Sequence, residues 1–252
     1  MSAENVDIVF VIDASDSMKP YIDGLRLNLQ HLIAPLEQSG YNWRLGLVTH
    51  NVIVGLLRVG YNVYFSGYGE KSRYSWKEQL NKLYSGADNS FFLSDINKFK
   101  MYLNDITLQG DENSFLGIDL ATDFPFRSIK NTRRVIAFFS DEEIEKGGGE
   151  NLNAKFANKL IDKIMARKIL LFGYIPQSKL ATLLGEAERS EITYIKPSDL
   201  AHLDFKKLLS GMGKSISAST LQSNEQEEYE QALFGEKKWV NVNLFGGKLS
   251  DS

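Results

Sequence analysis

Five consecutive apolar residues, Ile8 to Ile12, lie inside the segment DIVFVID that ends at Asp13. A run this short, rich in β-branched residues and without alternation, predicts a strand buried on both faces, as in a parallel sheet covered by helices. Comparable runs are WRLGLVTH (43–50), SFFL (90–93), RRVIAFFS (133–140), ILLFGYI (169–175) and EITYIK (191–196). Between them fall segments of helical period: 21–38, 95–106, 115–124, 151–168, 178–189 and 204–217. The alternation predicts an α/β, Rossmann-like three-layer fold with a mostly parallel sheet of about six strands and helices on both faces. Pro35 is expected to end or kink the first helix.

Two regions break the alternation. Residues 52–90 are long for a connection and carry Tyr68, Tyr74 and Trp76 among many aromatics, so they read as an insertion. Its aromatics either cover the sheet edge or form a partner-binding rim, since Tyr and Trp anchor protein interfaces. The polar stretch from Leu221 and the apolar end of the chain read as a tail or docking segment, 221–252, after one domain spanning 1–220.

Composition narrows the function classes. A net charge of -3 and a pI near 5.7 give no basic footprint, so nucleic acid is not an expected partner. The chain has no cysteine, which removes disulfides, thiolate metal sites and a cysteine nucleophile. No export signal or membrane-length apolar run is visible, and the expectation is a cytoplasmic protein with no membrane partner.

The chemistry gathers where the strands end. Ligands of parallel sheets bind beyond the carboxyl ends of the strands. Asp13, Ser15 and Ser17 follow the first strand at alternate positions, and Asp141 follows RRVIAFFS. Right-handed crossovers bring both loops to one edge. Carboxylates and hydroxyls converging there suit a hard divalent cation such as magnesium. For Asp13 alone, a helix cap is the competing explanation.

The motif DASDS, with FFSDEE placed after a later strand, resembles the metal-ion-dependent adhesion site of the von Willebrand factor A domain family. The resemblance runs over about Val6 to Pro197. It implies that Asp13, Ser15, Ser17 and Asp141 bind the ion, Mg2+ in the first place, with Mn2+ or Ca2+ as alternatives. A middle loop in the family supplies a threonine. Here GDE replaces the usual GGT, which puts Glu112 at that position and Ser114 close by as a second candidate. The resemblance further implies an adaptor that takes an Asp or Glu carboxylate of a partner protein, such as an ATPase, kinase or phosphatase of a bacterial stress or defence system.

Two enzyme classes fit less well. Aspartyl-phosphate chemistry places a second aspartate where Ser15 stands, and serine cannot act as the carboxylic acid of that route. A dinucleotide site needs a glycine-rich turn that DASDSM lacks. A metal-assisted phosphoesterase with Glu112 or His50 as base is the alternative function, and a degenerate scaffold that binds without metal is the third.

Overall fold

The computed structural model describes residues 4–50, 53–58, 61–66, 91–108, 114–145, 154–186, 189–196, 203–218, 242–243 and 247–248. The strands are β1 Asn5–Asp13, β2 Asn42–His50, β3 Ile53–Arg58, β4 Tyr61–Ser66, β5 Thr132–Phe139, β6 Ile169–Ile175 and β7 Ser190–Tyr194. The helices are α1 Lys19–Asn28, α2 Gln30–Gln38, α3 Ile96–Asn104, α4 Ser114–Thr122, α5 Ala154–Ala166, α6 Lys179–Glu186 and α7 Phe205–Ala218. A two-residue pairing, β8 Val242–Asn243 with β9 Gly247–Lys248, is separate from the main sheet.

The main sheet has seven strands in the order β4-β3-β2-β1-β5-β6-β7. The pairings from β2 through β1, β5 and β6 to β7 are parallel. Strands β3 and β4 extend one side antiparallel. The chain leaves β1 toward β2 on one side and returns through β5 toward β7 on the other, so the strand order reverses between β1 and β5. That point is where open α/β sheets form a crevice.

β1 is central, and its run of apolar residues serves both faces. Val6, Ile8, Phe10 and Ile12 join α1, α2, α3 and α7 in one core. Val9 and Val11 join α4, α5 and α6 in the other. Asp7 and Asp13 share the second face, because side chains alternate along a strand. At the strand's start, fully buried Asp7 accepts from Arg44 Nε at 2.7 Å and Nη2 at 2.8 Å, and from Arg127 Nε at 2.8 Å and the Arg127 N–H at 2.7 Å. Arg44 also lies over the Phe92 ring, 4.1 Å from its centroid. This network ties the starts of β1 and β2 to the segment leading into β5.

Three expectations change in detail. SFFL is not a strand; only Leu93 bridges to Leu45, and the bulk of Phe91 and Phe92 packs against Phe124 instead. The extra strands arise inside the expected insertion, whose first part continues the sheet as β3 and β4. The first helix divides at Leu29, ahead of Pro35, which sits within α2; Asn28 Nδ2 donates to the Gly24 carbonyl at the break. Trp76, Tyr68, Tyr74, Glu112 and most of the 221–252 segment lie outside the described residues.

Removing one member of a buried ion network leaves its partners' charge uncompensated, at a cost of about 3 kcal/mol or more. Asp7→Ala is therefore expected to lower the urea midpoint by that equivalent at unchanged denaturant slope. A loss below about 1 kcal/mol would show that the arginines are solvated rather than held.

Candidate metal centre at the end of the central strands

Asp13 closes β1, fully buried, with each carboxylate oxygen held by a neighbour. Oδ1 accepts the Ser15 N–H at 2.8 Å, and Oδ2 accepts the Ser140 hydroxyl at 2.8 Å. Ser140 is itself fixed by the Glu142 N–H, which donates to its Oγ at 3.1 Å. Ser15 Oγ and Ser17 Oγ share a hydrogen bond of 3.1 Å, Ser15 buried and Ser17 exposed. The competing helix-cap account of Asp13 does not hold, since the cap position of the turn that follows is Ser15. The short 3-10 turn Asp16–Met18 and α1 both begin without a side-chain cap bond, and Pro20 opens the first turn of α1. Those hydroxyls stay at the strand end, one buried and one facing outward.

Asp141 lies beside them at the end of β5, 8% exposed, with Oδ1 buried and unpartnered among the described residues. Neither Asp13 nor Asp141 has an ion pair among the described residues, and the two carboxylates repel. Ser114, in the first turn of α4, is fully buried with an unpartnered Oγ. Among the described residues no three His, Asp or Glu side chains converge, so an ion here would draw on hydroxyls for part of its shell. The structure thus brings together Asp13, Ser15, Ser17 and Asp141.

Ser140 was not among the expected site residues. Its signal was present in the alternation of β5, which carries Phe138 and then Ser140 to the face that Asp13 occupies. His50 was expected as a candidate base of the alternative phosphoesterase. It ends β2 in register with Asp13, and its carbonyl accepts the Ala14 N–H at 2.8 Å. The imidazole is fully buried, its ring 5.8 Å from that of Phe138, with neither nitrogen partnered among the described residues.

Burial pushes the Asp13 carboxyl up from 3.8 to about 6, helped by the charge of Asp141 and opposed by the Ser15 N–H and the Ser140 hydroxyl. Burial also pushes His50 down from 6.5 to about 3. The two act on stability with opposite signs. Folded Asp13 holds a proton that the unfolded chain has released, so its contribution is greatest below 3.8 and lost as pH rises through about 6. His50 is neutral when folded, so its contribution is present above 6.5 and lost as pH falls toward about 3. In chelator, Asp13→Asn is expected to lose stability more steeply than wild type on acidification below 6.5, while His50→Gln gains stability between 6 and 3.8. Urea denaturation across this range checks both, and parallel curves for all three proteins would contradict the assignment.

Comparison with known proteins shows likeness in fold alone. No family model and no curated protein matches the sequence. Among solved structures, the chain is similar to a von Willebrand factor type A protein from Catenulispora acidiphila, with a TM-score of 0.52 and 13% identity over 83% of this chain and 43% of that one. It also aligns with proximal thread matrix protein 1 from the mussel byssus, with a TM-score of 0.46 and 12% identity over 84% of this chain and 47% of that one. The chain spans less than half the length of either structure. Its seven-stranded sheet, five of the strands parallel, has the fold of a von Willebrand factor type A domain.

Proposed function

We propose that this chain is a protein-interaction domain that holds a divalent cation at the ends of β1 and β5 and uses it to take a carboxylate from a partner protein. The observation that carries this reading is the pair of neighbouring carboxylates, Asp13 and Asp141, buried without a counter-charge among the described residues. A buried charge is normally paired or bound to a metal. At the other end of the same strand Asp7 has its arginines; here that place is open to an ion.

The residues present fit a hard cation. Asp13, Ser15, Ser17 and Asp141 would hold it, with the buried, unpartnered hydroxyl of Ser114 as a further candidate; Glu112 lies outside the described residues. When bound, the ion supplies positive charge and exchangeable positions for an outside oxygen ligand. The chain's own groups fix the pocket: Ser140 and the Ser15 N–H set the carboxylate of Asp13, and exposed Ser17 marks the side from which a partner approaches. Magnesium is the first ion to test, with manganese and calcium after it. The likeness in fold supports an interaction role, and the resemblance of the DASDS motif makes ATPases, kinases and phosphatases of bacterial stress or defence systems the first partners to try.

Hydrolysis is the weaker reading. Of its two candidate bases, His50 is fully buried and has no contact with bulk water, and Glu112 lies outside the described residues.

Calorimetric titration with Mg2+ or Mn2+ near pH 7, alongside thermal melts, tests the proposal. Metal is expected to bind and raise Tm, by about 2.7 kcal/mol of stabilisation at a hundredfold excess over Kd. Asp13→Ala and Asp141→Ala should each abolish the effect. Absence of heat and of any Tm change at millimolar metal would overturn the metal reading, and partner capture that persists in EDTA would overturn the metal-bridged mode.

A further inference from the structure

The loop that carries Asp141 is held on both sides of that residue. On the near side Ser140 donates its N–H to the Tyr174 carbonyl at 3.2 Å and its hydroxyl to Asp13 Oδ2 at 2.8 Å. On the far side Ile144 is fully buried in the core shared with Leu180, Ala181 and Leu184 of α6. Glu145 then reaches the start of that helix, where its Oε1 accepts the Leu180 N–H at 2.6 Å. Its Oε2 is buried without a partner among the described residues.

Helix capping alone does not account for Glu145. The first turn of a helix leaves its N–H groups unsatisfied, and a side chain just before the helix usually meets them. α6 has such a cap in Ser178, whose Oγ accepts the Ala181 N–H at 3.2 Å. Glu145 comes instead from 35 residues before Leu180 and joins the loop after β5 to the helix after β6. A carboxylate is favoured there because the start of a helix attracts negative charge.

The cation site needs that link. Asp13 and Asp141 are buried neighbours that repel, and Asp141 Oδ1 has no partner among the described residues. Water would solvate a carboxylate released from such a place, so before an ion arrives both forces drive Asp141 outward. Ser140 restrains only the near side of the loop. Resting on the cation reading above, we infer that Glu145 is a positioning residue for the ion: its bond to the start of α6 keeps Asp141 beside Asp13, so that the ligand pair is set before the cation binds. Groups that orient a ligand without touching the metal contribute about tenfold or more to affinity.

Calorimetric titration of the full chain with Mg2+ compares wild type, Glu145→Ala, Glu145→Gln and Ser178→Ala. Kd is expected to rise about tenfold or more in Glu145→Ala. Glu145→Gln should stay within about threefold of wild type, because its amide oxygen still accepts the Leu180 N–H. Ser178→Ala removes a bond at the same helix start but none to the loop, and should leave Kd unchanged. A second measurement needs no variant. Coupling is reciprocal, so saturating Mg2+ should slow hydrogen exchange of the Leu180 amide in wild type by about the same factor, and that of the Ala181 amide less. Equal Mg2+ affinity in Glu145→Ala and wild type, equal weakening by Ser178→Ala, or Leu180 exchange indifferent to Mg2+ would each overturn the role of Glu145 and leave the cation site standing. Failure of wild type to bind Mg2+ would overturn both.

Discussion

An aspartate at the end of a strand buried on both faces is the constraint on which this fold's candidate chemistry depends. β1 can sit at the centre of the sheet because Val6, Ile8, Phe10 and Ile12 fill one core while Val9 and Val11 fill the other. That same placement carries Asp7 and Asp13 out of water at its two ends. At the first end the charge is met by Arg44 and Arg127. At the second end it meets hydroxyls, a backbone N–H and another carboxylate, and burial, helped by that carboxylate and opposed by the hydrogen bonds, pushes the carboxyl up to about 6.

The contrast explains why one end of the strand is structural and the other is a candidate binding site. Protein cations at Asp7 close the network permanently and join β1, β2 and the approach to β5. Leaving Asp13 and Asp141 without such cations keeps a buried demand for positive charge that an exchangeable ion can meet. The sheet puts this demand at the reversal of strand order, the point at which open α/β sheets generally take their ligands. Exposed Ser17 then gives the site its outward side, and buried Asp13 with its partner Ser140 the inner one.

Much of this was legible in the sequence where physics acts locally. Short β-branched and aromatic runs identified β1, β2, β5, β6 and β7, and helical periodicity identified the covering helices. Asp13 and Asp141 could be placed together because parallel strands present their ends to one edge. Tertiary packing decided what was missed. Phe91 and Phe92 have the composition of a strand, but their rings were taken up by Phe124, leaving only the Leu93 bridge. β3 and β4 lay hidden in a segment whose aromatic and glycine content suggested an insertion. Ser140 was overlooked because a serine at the end of an apolar strand gives no signal until its cross-strand neighbour is known.

The central claim is that the Asp13 carboxyl is raised by burial and awaits a cation. Carbon-13 NMR of the aspartate carboxyls, with Asp13→Asn to assign the resonance, measures it directly. Without metal the Asp13 signal should titrate near 6. Saturating Mg2+ should move that midpoint down toward the ordinary carboxylate range, because a bound cation favours the ionised form. An Asp13 that titrates near 3.8 and ignores added metal would contradict the account.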